Sequence, residues 1–180
     1  MNNIFSGFFD IIFSPTVAFN ELKDLKPHKL PILVIFIVAL FLSATNNNFS
    51  GFSSLISTFS FILIGLIVYS FYIDIMAKMF NLESQFEKMF TLSAFSLFPW
   101  IFLAPVKLLS CDITILAILS GILTFGIYIW VIALQVLAIS RAYNTPSNCA
   151  IIAIFLPFLG FCMFIGNFAD FVRQLINIFS

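Results

Sequence analysis

Charged residues are scarce in this chain of 180 residues. Only 9% of the residues are Asp, Glu, Lys or Arg, whereas 62% are hydrophobic, and the formal net charge is zero. A soluble domain needs more charged surface than this, so the composition excludes a soluble globular protein. Because no basic excess exists, a nucleic-acid-binding surface is excluded as well. The sequence therefore indicates an integral membrane protein, whose first partner is the lipid bilayer.

Residues that carry chemistry are equally scarce. The single histidine, His28, lies among lysines at a predicted membrane edge, so neither a histidine pair nor a Ser-His-Asp arrangement is available. Cys111, Cys149 and Cys162 lack the spacing of metal ligands, and their predicted positions are too far apart for a disulfide. No glycine-rich phosphate loop is present. We therefore predict a non-enzymatic protein with free thiols, no metal site and no cofactor.

Long apolar runs fill the rest of the chain and predict an all-α, polytopic helical bundle in the membrane. About 20 apolar residues in a helix cross the hydrocarbon core of a bilayer. A segment at 1–29 is expected to precede a five-span membrane domain at 30–170, and 171–180 is expected to be a short tail. The predicted spans are residues 30–45, 55–77, 89–109, 113–140 and 149–169.

The segment before the first span is predicted to contain two helices. Apolar residues recur at helical spacing over residues 2–13, so this stretch is expected to be a short amphipathic helix in the membrane interface. Ser14 suits the N-cap of a second helix and Pro15 suits its first position. That helix is expected to end near Asp24.

Prolines interrupt two of the predicted spans. Pro99 and Pro105 lie in the third span, and Pro157 lies in the fifth. Each proline lacks a backbone donor and disfavours helical angles at the preceding residue. We therefore expect a kinked or broken third span and a bent fifth span.

Basic residues predict the orientation. With five spans, six of the eight basic residues fall on one side of the membrane and two on the other. Because Lys and Arg accumulate in cytoplasmic connections, the N-terminus is predicted to be cytoplasmic and the C-terminus outside a cell membrane. The six are Lys23, Lys26, Lys29, Lys78, Lys88 and Arg141, and the two are Lys107 and Arg173.

Residues 78–90 form a charged island between two uncharged apolar runs and are predicted to be a cytoplasmic surface helix. Apolar residues recur at helical spacing along one of its faces. The opposite face would carry Glu83, Glu87 and Lys88. We regard these three residues as a candidate docking surface for a basic partner. The alternative is a solvated connector without a partner.

Polar side chains inside the predicted spans form a second candidate site. Tyr128 and Gln135 share a face of the fourth span, and Tyr69 in the second span is expected at a depth similar to that of Gln135. One interpretation is a small polar site between the two spans. The other is an interhelical hydrogen bond that fixes packing. Near the end of the second span, Asp74 and Lys78 have the i,i+4 spacing of a helical salt bridge.

Four stretches of the sequence carry a family resemblance, which covers the chain from about Phe13 onward. They are FSPTVAFNELK, KLPILVIF, FEKMFTLSAFSLFPW and YIWVIALQVLAISRAYNTP. In this order they resemble a short, prokaryotic-type member of the Yip1 family. The resemblance implies five membrane helices, no cofactor and no known chemistry. Eukaryotic relatives take part in vesicle traffic and bind prenylated small GTPases, but they carry a longer cytosolic N-terminal region, so GTPase binding is not carried over.

Two classes of function follow from these observations. The first is a non-enzymatic membrane organiser or adaptor that binds protein or lipid partners, among them another membrane protein or a second copy of the chain. The family resemblance and the scarcity of catalytic residues favour this class. The second is a small oligomeric transporter or channel. Spans broken by proline favour it, whereas no charged residue is predicted at the middle of the membrane.

Overall fold

A computed structural model describes residues 13–22, 30–44, 51–109 and 114–154. These residues are mostly helical and none of them lies in a strand, which agrees with the predicted all-α fold. The elements are α1 (Pro15–Leu22), α2 (Leu30–Ala44), α3 (Phe52–Met79), α4 (Phe86–Ser96), a 3-10 segment (Phe98–Phe102), α5 (Leu103–Leu108) and α6 (Thr114–Tyr143), followed by helical residues 147–154.

Three of the described helices are long and apolar enough to cross a membrane. They are α3, the unit Phe86–Leu108 that joins α4 to α5, and residues Ile115–Tyr143 of α6. The 28 residues of α3 extend about 42 Å, which exceeds the roughly 30 Å of a hydrocarbon core. Helix α2 is apolar but has only 15 residues.

These helices begin and end within three residues of the first four predicted spans. Most of the predicted fifth span lies outside the described residues, as do the tail at 171–180 and all but the last residue of the predicted interfacial helix at 2–13. The structure thus shows a helical protein with three helices of spanning length. A count of five spans remains a prediction.

The unit Phe86–Leu108 is the centre of the bundle. In its most apolar part, 67% of the residues are buried, against 22% in α3 and 17% in α6. Helices α2, α3 and α6 all contact it. Small residues in α4, among them Ser93, Ala94 and Ser96, are fully buried and allow the neighbouring helices to approach closely. The outer faces of α3 and α6 expose large apolar side chains, as expected for surfaces that face lipid.

The central unit is broken at Pro99. The segment that contains it is a 3-10 helix, and the backbone N–H of Trp100 donates to the carbonyl of Leu97 at 2.9 Å. Pro105 does not break the chain, because it lies in the first turn of α5, where a missing N–H is tolerated. The predicted interruption of this span is therefore present at one of its two prolines, as a change from α-helical to 3-10 geometry.

The surface helix predicted for residues 78–90 is wrong. Lys78 belongs to the last turn of α3, residues 80–85 are not helical, and Phe86 begins α4. The predicted pattern of apolar residues is split between two separate helices, because the chain turns sharply after α3.

Asn81 causes that turn. Its φ of 57° lies in the left-handed region, which asparagine tolerates better than most residues. The N–H of Asn81 donates to the carbonyl of Lys78, and the N–H of Leu82 donates to the carbonyl of Ala77, both at 3.0 Å. This pair of bonds is a Schellman motif, which ends a helix by satisfying its last carbonyl groups.

Helix α1 starts as the sequence predicts and rests on the bundle. The carbonyl of Ser14 accepts hydrogen bonds from Val17 N–H at 3.0 Å and Ala18 N–H at 3.1 Å, and Pro15 occupies the first helical position. Helix α1 contacts α4 and α6, and the side chain of Phe19 is fully buried in the main core.

We expect Phe19→Ala to lower the free energy of unfolding by about 3–5 kcal/mol, because it leaves a cavity beneath α1. The control is Phe61→Ala, at a residue of α3 that is 81% exposed, which should change stability by less than about 0.5 kcal/mol. Thermal unfolding of the two purified variants in detergent micelles measures the difference. Equal effects of the two substitutions would contradict the packing of α1 on the bundle.

Candidate functional site

A buried carboxylate lies near the end of α3. Asp74 is only 3% exposed, although burying an isolated charge costs several kcal/mol. Part of the compensation is local, since the Lys78 ammonium one turn later lies 3.0 Å from Asp74 Oδ2. This is the ion pair that the i,i+4 spacing predicts.

The Asp74 carboxylate has a partner in every direction in which it can accept. Oδ2 accepts a hydrogen bond from Ser84 Oγ at 2.7 Å in addition to its pairing with Lys78. Oδ1 accepts from the backbone N–H of Gln85 and from the Tyr143 hydroxyl, each at 3.0 Å. A carboxylate offers about four lone-pair sites, so this set is complete. Asp74 thus has no lone pair left to bind a metal ion or to take a substrate proton.

These partners come from three parts of the fold. Asp74 and Lys78 belong to α3, Ser84 and Gln85 lie just before α4, and Tyr143 is the last residue of α6. Gln85 is the N-cap residue of α4, and its carbonyl accepts the first helical bond from Met89 N–H at 2.9 Å. We call Asp74 and its four partners the Asp74 network. Its bonds to Ser84 and Gln85 fix the position at which the central helix begins.

Among the described residues, no group of three or more His, Cys, Asp and Glu that could hold a metal ion is found.

Helices α3 and α6 end side by side and in the same way. Asn144 follows α6 with a φ of 50°, and the N–H of Thr145 donates to the carbonyl of Ser140 at 3.1 Å. The Ser140 hydroxyl also donates to the carbonyl of Thr145 at 2.6 Å. Both helices are thus stopped by an asparagine in the left-handed region at one end of the bundle.

An apolar groove of about 250 Å³ lies between these two helix ends. We call it the α3–α6 groove. Its walls come from α3, the connection to α4, α6, and the start of the helix at 147–154. The lining residues are Ile73, Met76, Ala77, Phe80, Leu82, Ile139, Tyr143, Thr145, Cys149, Ile152 and Ala153. Tyr143 therefore belongs to both features, since its ring lines the groove and its hydroxyl binds Asp74.

The structure does not join Tyr69, Tyr128 and Gln135 into one site. Gln135 Nε2 donates to the carbonyl of Ser93 in α4, at 3.4 Å. Tyr69 is half-buried against the core, and Tyr128 is 48% exposed. Among the described residues, no hydrogen bond connects any two of the three predicted residues. An interhelical bond from Gln135 is present, but its partner lies in the central helix rather than in α3.

The three predicted docking residues are all exposed, but they do not share one helix. Glu83 lies in the connection between α3 and α4, whereas Glu87 and Lys88 lie in the first turn of α4. A negative charge such as Glu87 is favourable at that position, because the N-terminus of a helix carries a partial positive charge. The Asp74 network lies directly beneath this surface, through Ser84 and Gln85.

Sequence reasoning found one of the four partners of Asp74. The spacing identified Lys78, and a carboxylate in an apolar helix signals that further partners are needed. Those partners, Ser84, Gln85 and Tyr143, lie 10, 11 and 69 residues away from Asp74. Nothing in the sequence alone pairs them with Asp74, because the turn at Asn81 and the packing of α6 bring them together.

Comparison with known protein families gives a match to the Yip1 domain. The model of the Yip1 domain matches residues 9–166, which is most of the chain. No curated protein and no solved structure matches the chain.

We expect Tyr143→Phe to lower the free energy of unfolding by about 1.5–3 kcal/mol, because it removes a hydrogen bond to a buried charged group. Tyr128→Phe is the matched control on the same helix and should have little effect, since Tyr128 is half-exposed. Chemical or thermal unfolding in detergent measures both. If the two variants lose the same stability, the Tyr143 hydroxyl does not contribute to the Asp74 network. Combining Tyr143→Phe with Asp74→Asn in a double-mutant cycle isolates the pairwise energy.

Proposed function

The chain belongs to the Yip1 domain family, and on this basis we propose that it is a non-enzymatic, multi-pass membrane organiser or adaptor that binds protein or lipid partners. The observation that carries this proposal is the exposed surface next to Asp74 that Glu83, Glu87 and Lys88 form. The connection between α3 and α4 is not helical, yet Asp74 holds its last two residues by hydrogen bonds to Ser84 and Gln85. A fixed, exposed acidic surface suits recognition of a partner, because less conformational entropy is lost on binding.

The state of Asp74 supports a role without catalysis. A general acid or base needs access to its substrate and a pKa close to the working pH. Asp74 is buried, ion-paired and fully hydrogen-bonded within the protein. This arrangement suits a structural carboxylate that stabilises the end of the bundle.

We further propose the predicted topology of five spans in a cell membrane, with the N-terminus in the cytoplasm and the C-terminus outside. Support comes from the shared end of α3 and α6, which brings Lys78, Lys88 and Arg141 to the same end of the bundle. Three basic residues at one end agree with a cytoplasmic location.

Cys149 tests this topology, because it is a free and exposed thiol just after α6. In a variant with Cys111→Ser and Cys162→Ser, it should not react with a membrane-impermeant maleimide added to intact cells. It should react with the same reagent in inside-out vesicles. Labelling of intact cells would place this end of the bundle outside and reverse the proposed orientation.

The second candidate function is a small oligomeric transporter or channel. It is favoured by the break at Pro99 and by nearby buried polar atoms. Ser93 Oγ, Gln135 Oε1 and Trp100 Nε1 are buried and have no hydrogen-bond partner among the described residues. Broken helices with polar groups at membrane depth are a feature of transporter sites. However, the buried charge of the described bundle, Asp74, lies near a helix end rather than at its middle.

Crosslinking at Lys88 in native membranes tests the organiser proposal. Lys88 is exposed beside the two glutamates, so an amine-reactive crosslinker attached there reports on any partner at this surface. The double variant Glu83→Gln/Glu87→Gln should reduce the yield of heterologous Lys88 crosslinks roughly two- to thirtyfold. This range follows from about 0.2–1 kcal/mol for each exposed ion pair with a basic partner. Mass spectrometry of the crosslinked peptides measures the change.

Glu21→Gln is the control, since Glu21 is an exposed carboxylate on α1. It should leave the Lys88 crosslinks unchanged, and all variants should insert into membranes normally. An unchanged crosslink profile in the double variant would mean that the surface is only a connector. Crosslinks that join Lys88 only to a second copy of the chain would favour the oligomeric transporter.

A further inference from the structure

The α3–α6 groove lies on residues other than the docking surface, so an inference about it does not depend on that surface. We propose that the groove binds one acyl chain of a phospholipid from the surrounding leaflet, with the lipid phosphate at Lys78.

The walls of the groove are hydrocarbon. Most of the lining side chains are aliphatic, such as Ile73, Met76 and Ile152. The hydroxyl of the lining residue Tyr143 donates to Asp74 Oδ1 at 3.0 Å and is not available to a ligand in the groove. An occupant therefore gains by burying apolar surface and finds few hydrogen-bond partners there.

The size of the groove selects among apolar occupants. Its volume of about 250 Å³ is below the roughly 300–1,000 Å³ of typical small-molecule pockets. A helix from a second copy is about 10–12 Å wide with its side chains. A single flexible hydrocarbon chain is much thinner and is matched better to this small volume. In a membrane protein, acyl chains are also present at high local concentration.

Lys78 supplies the charge complementarity. It follows the groove-lining Ala77 in α3, and its side chain is 57% exposed even though its ammonium pairs with Asp74. An ammonium group has three donors, so it can bind a phosphate while it keeps Asp74 as a partner. The same carboxylate binds Tyr143, which places the ammonium beside the wall of the groove. A phosphate at Lys78 and an acyl chain in the groove are therefore positions that one lipid molecule reaches together.

The first test uses the unaltered protein in nanodiscs that contain a phospholipid with a diazirine on one acyl chain. After irradiation, crosslinked peptides are mapped by mass spectrometry. We expect the adducts to concentrate on residues 73–82 and 149–153. An even spread over exposed positions elsewhere, such as Phe61 and Phe125, would overturn the proposal, because it would indicate ordinary annular lipid.

The second test compares two adjacent isoleucines. Ile152 lines the groove, whereas Ile151 is also exposed but does not line it. Ile152→Trp fills the groove and should reduce the crosslinks in the lining residues by roughly tenfold, which corresponds to a loss of about 1.4 kcal/mol. Ile151→Trp should leave them unchanged. Equal crosslinking in both variants would overturn the proposal.

The phosphate contact has its own test. In an Asp74→Asn background, which leaves no buried carboxylate without its cation, Lys78→Gln should reduce the number of phospholipids retained per chain in native mass spectrometry by roughly two- to fivefold, because it removes the exposed ammonium. In the same background, Lys78→Arg keeps the charge and should keep retention. Unchanged retention on Lys78→Gln in this background would overturn the placement of the phosphate. A dimer that Ile152→Trp dissociates would identify the occupant as a second copy and overturn the lipid assignment.

Discussion

The negative charge of Asp74 is the constraint on which this end of the bundle depends. Asp74 is buried in the folded protein, with only 3% of its surface exposed. Its carboxylate oxygens must therefore be paired, because an unpaired buried charge is strongly destabilising. The partners must come from the next turn of α3, from the start of α4 and from the end of α6. The positions of three elements are thereby linked through one group, which gives this end of the bundle a unique arrangement.

Away from that end, the bundle is held by close packing of small residues. In lipid, contact between apolar side chains gains little over contact with acyl chains, so association depends on backbones that approach closely. The central helix meets this requirement with Ser93, Ala94 and Ser96, which are fully buried. The Ser96 hydroxyl bonds locally, because its Oγ donates to the carbonyl of Ser93 at 2.6 Å. Large apolar residues are left to the lipid-facing sides of α3 and α6.

The sequence predicts the helices better than it predicts their contacts. Hydrophobic run length identified four helices to within three residues, because long apolar runs almost free of charge are typical of helices in a membrane protein. The helix proposed for residues 78–90 failed, since apolar spacing on both sides of Asn81 imitates one continuous helix. Asparagine at a helix end is only a weak signal, and its φ of 57° is observable only in the structure. The sequence also could not name the partner of Gln135, which donates to the carbonyl of Ser93 in the central helix, because equal depth in a membrane does not decide which two helices are neighbours.

The docking surface and the α3–α6 groove are connected through one carboxylate. Tyr143 lines the groove and donates to Asp74 Oδ1, and the same oxygen accepts the N–H of Gln85 at the start of α4. An occupant of the groove that favours one position of the Tyr143 ring therefore changes the hydrogen bond from Tyr143 to Asp74. Asp74 in turn holds Gln85, at the end of the connection between α3 and α4 that contains Glu83. Any such coupling is reciprocal, because a partner that stabilises the connection must favour the same position of Tyr143 to the same extent in free energy. The proposed lipid site and the proposed docking surface are thus linked through Asp74, so that lipid in the groove affects the surface proposed for a partner.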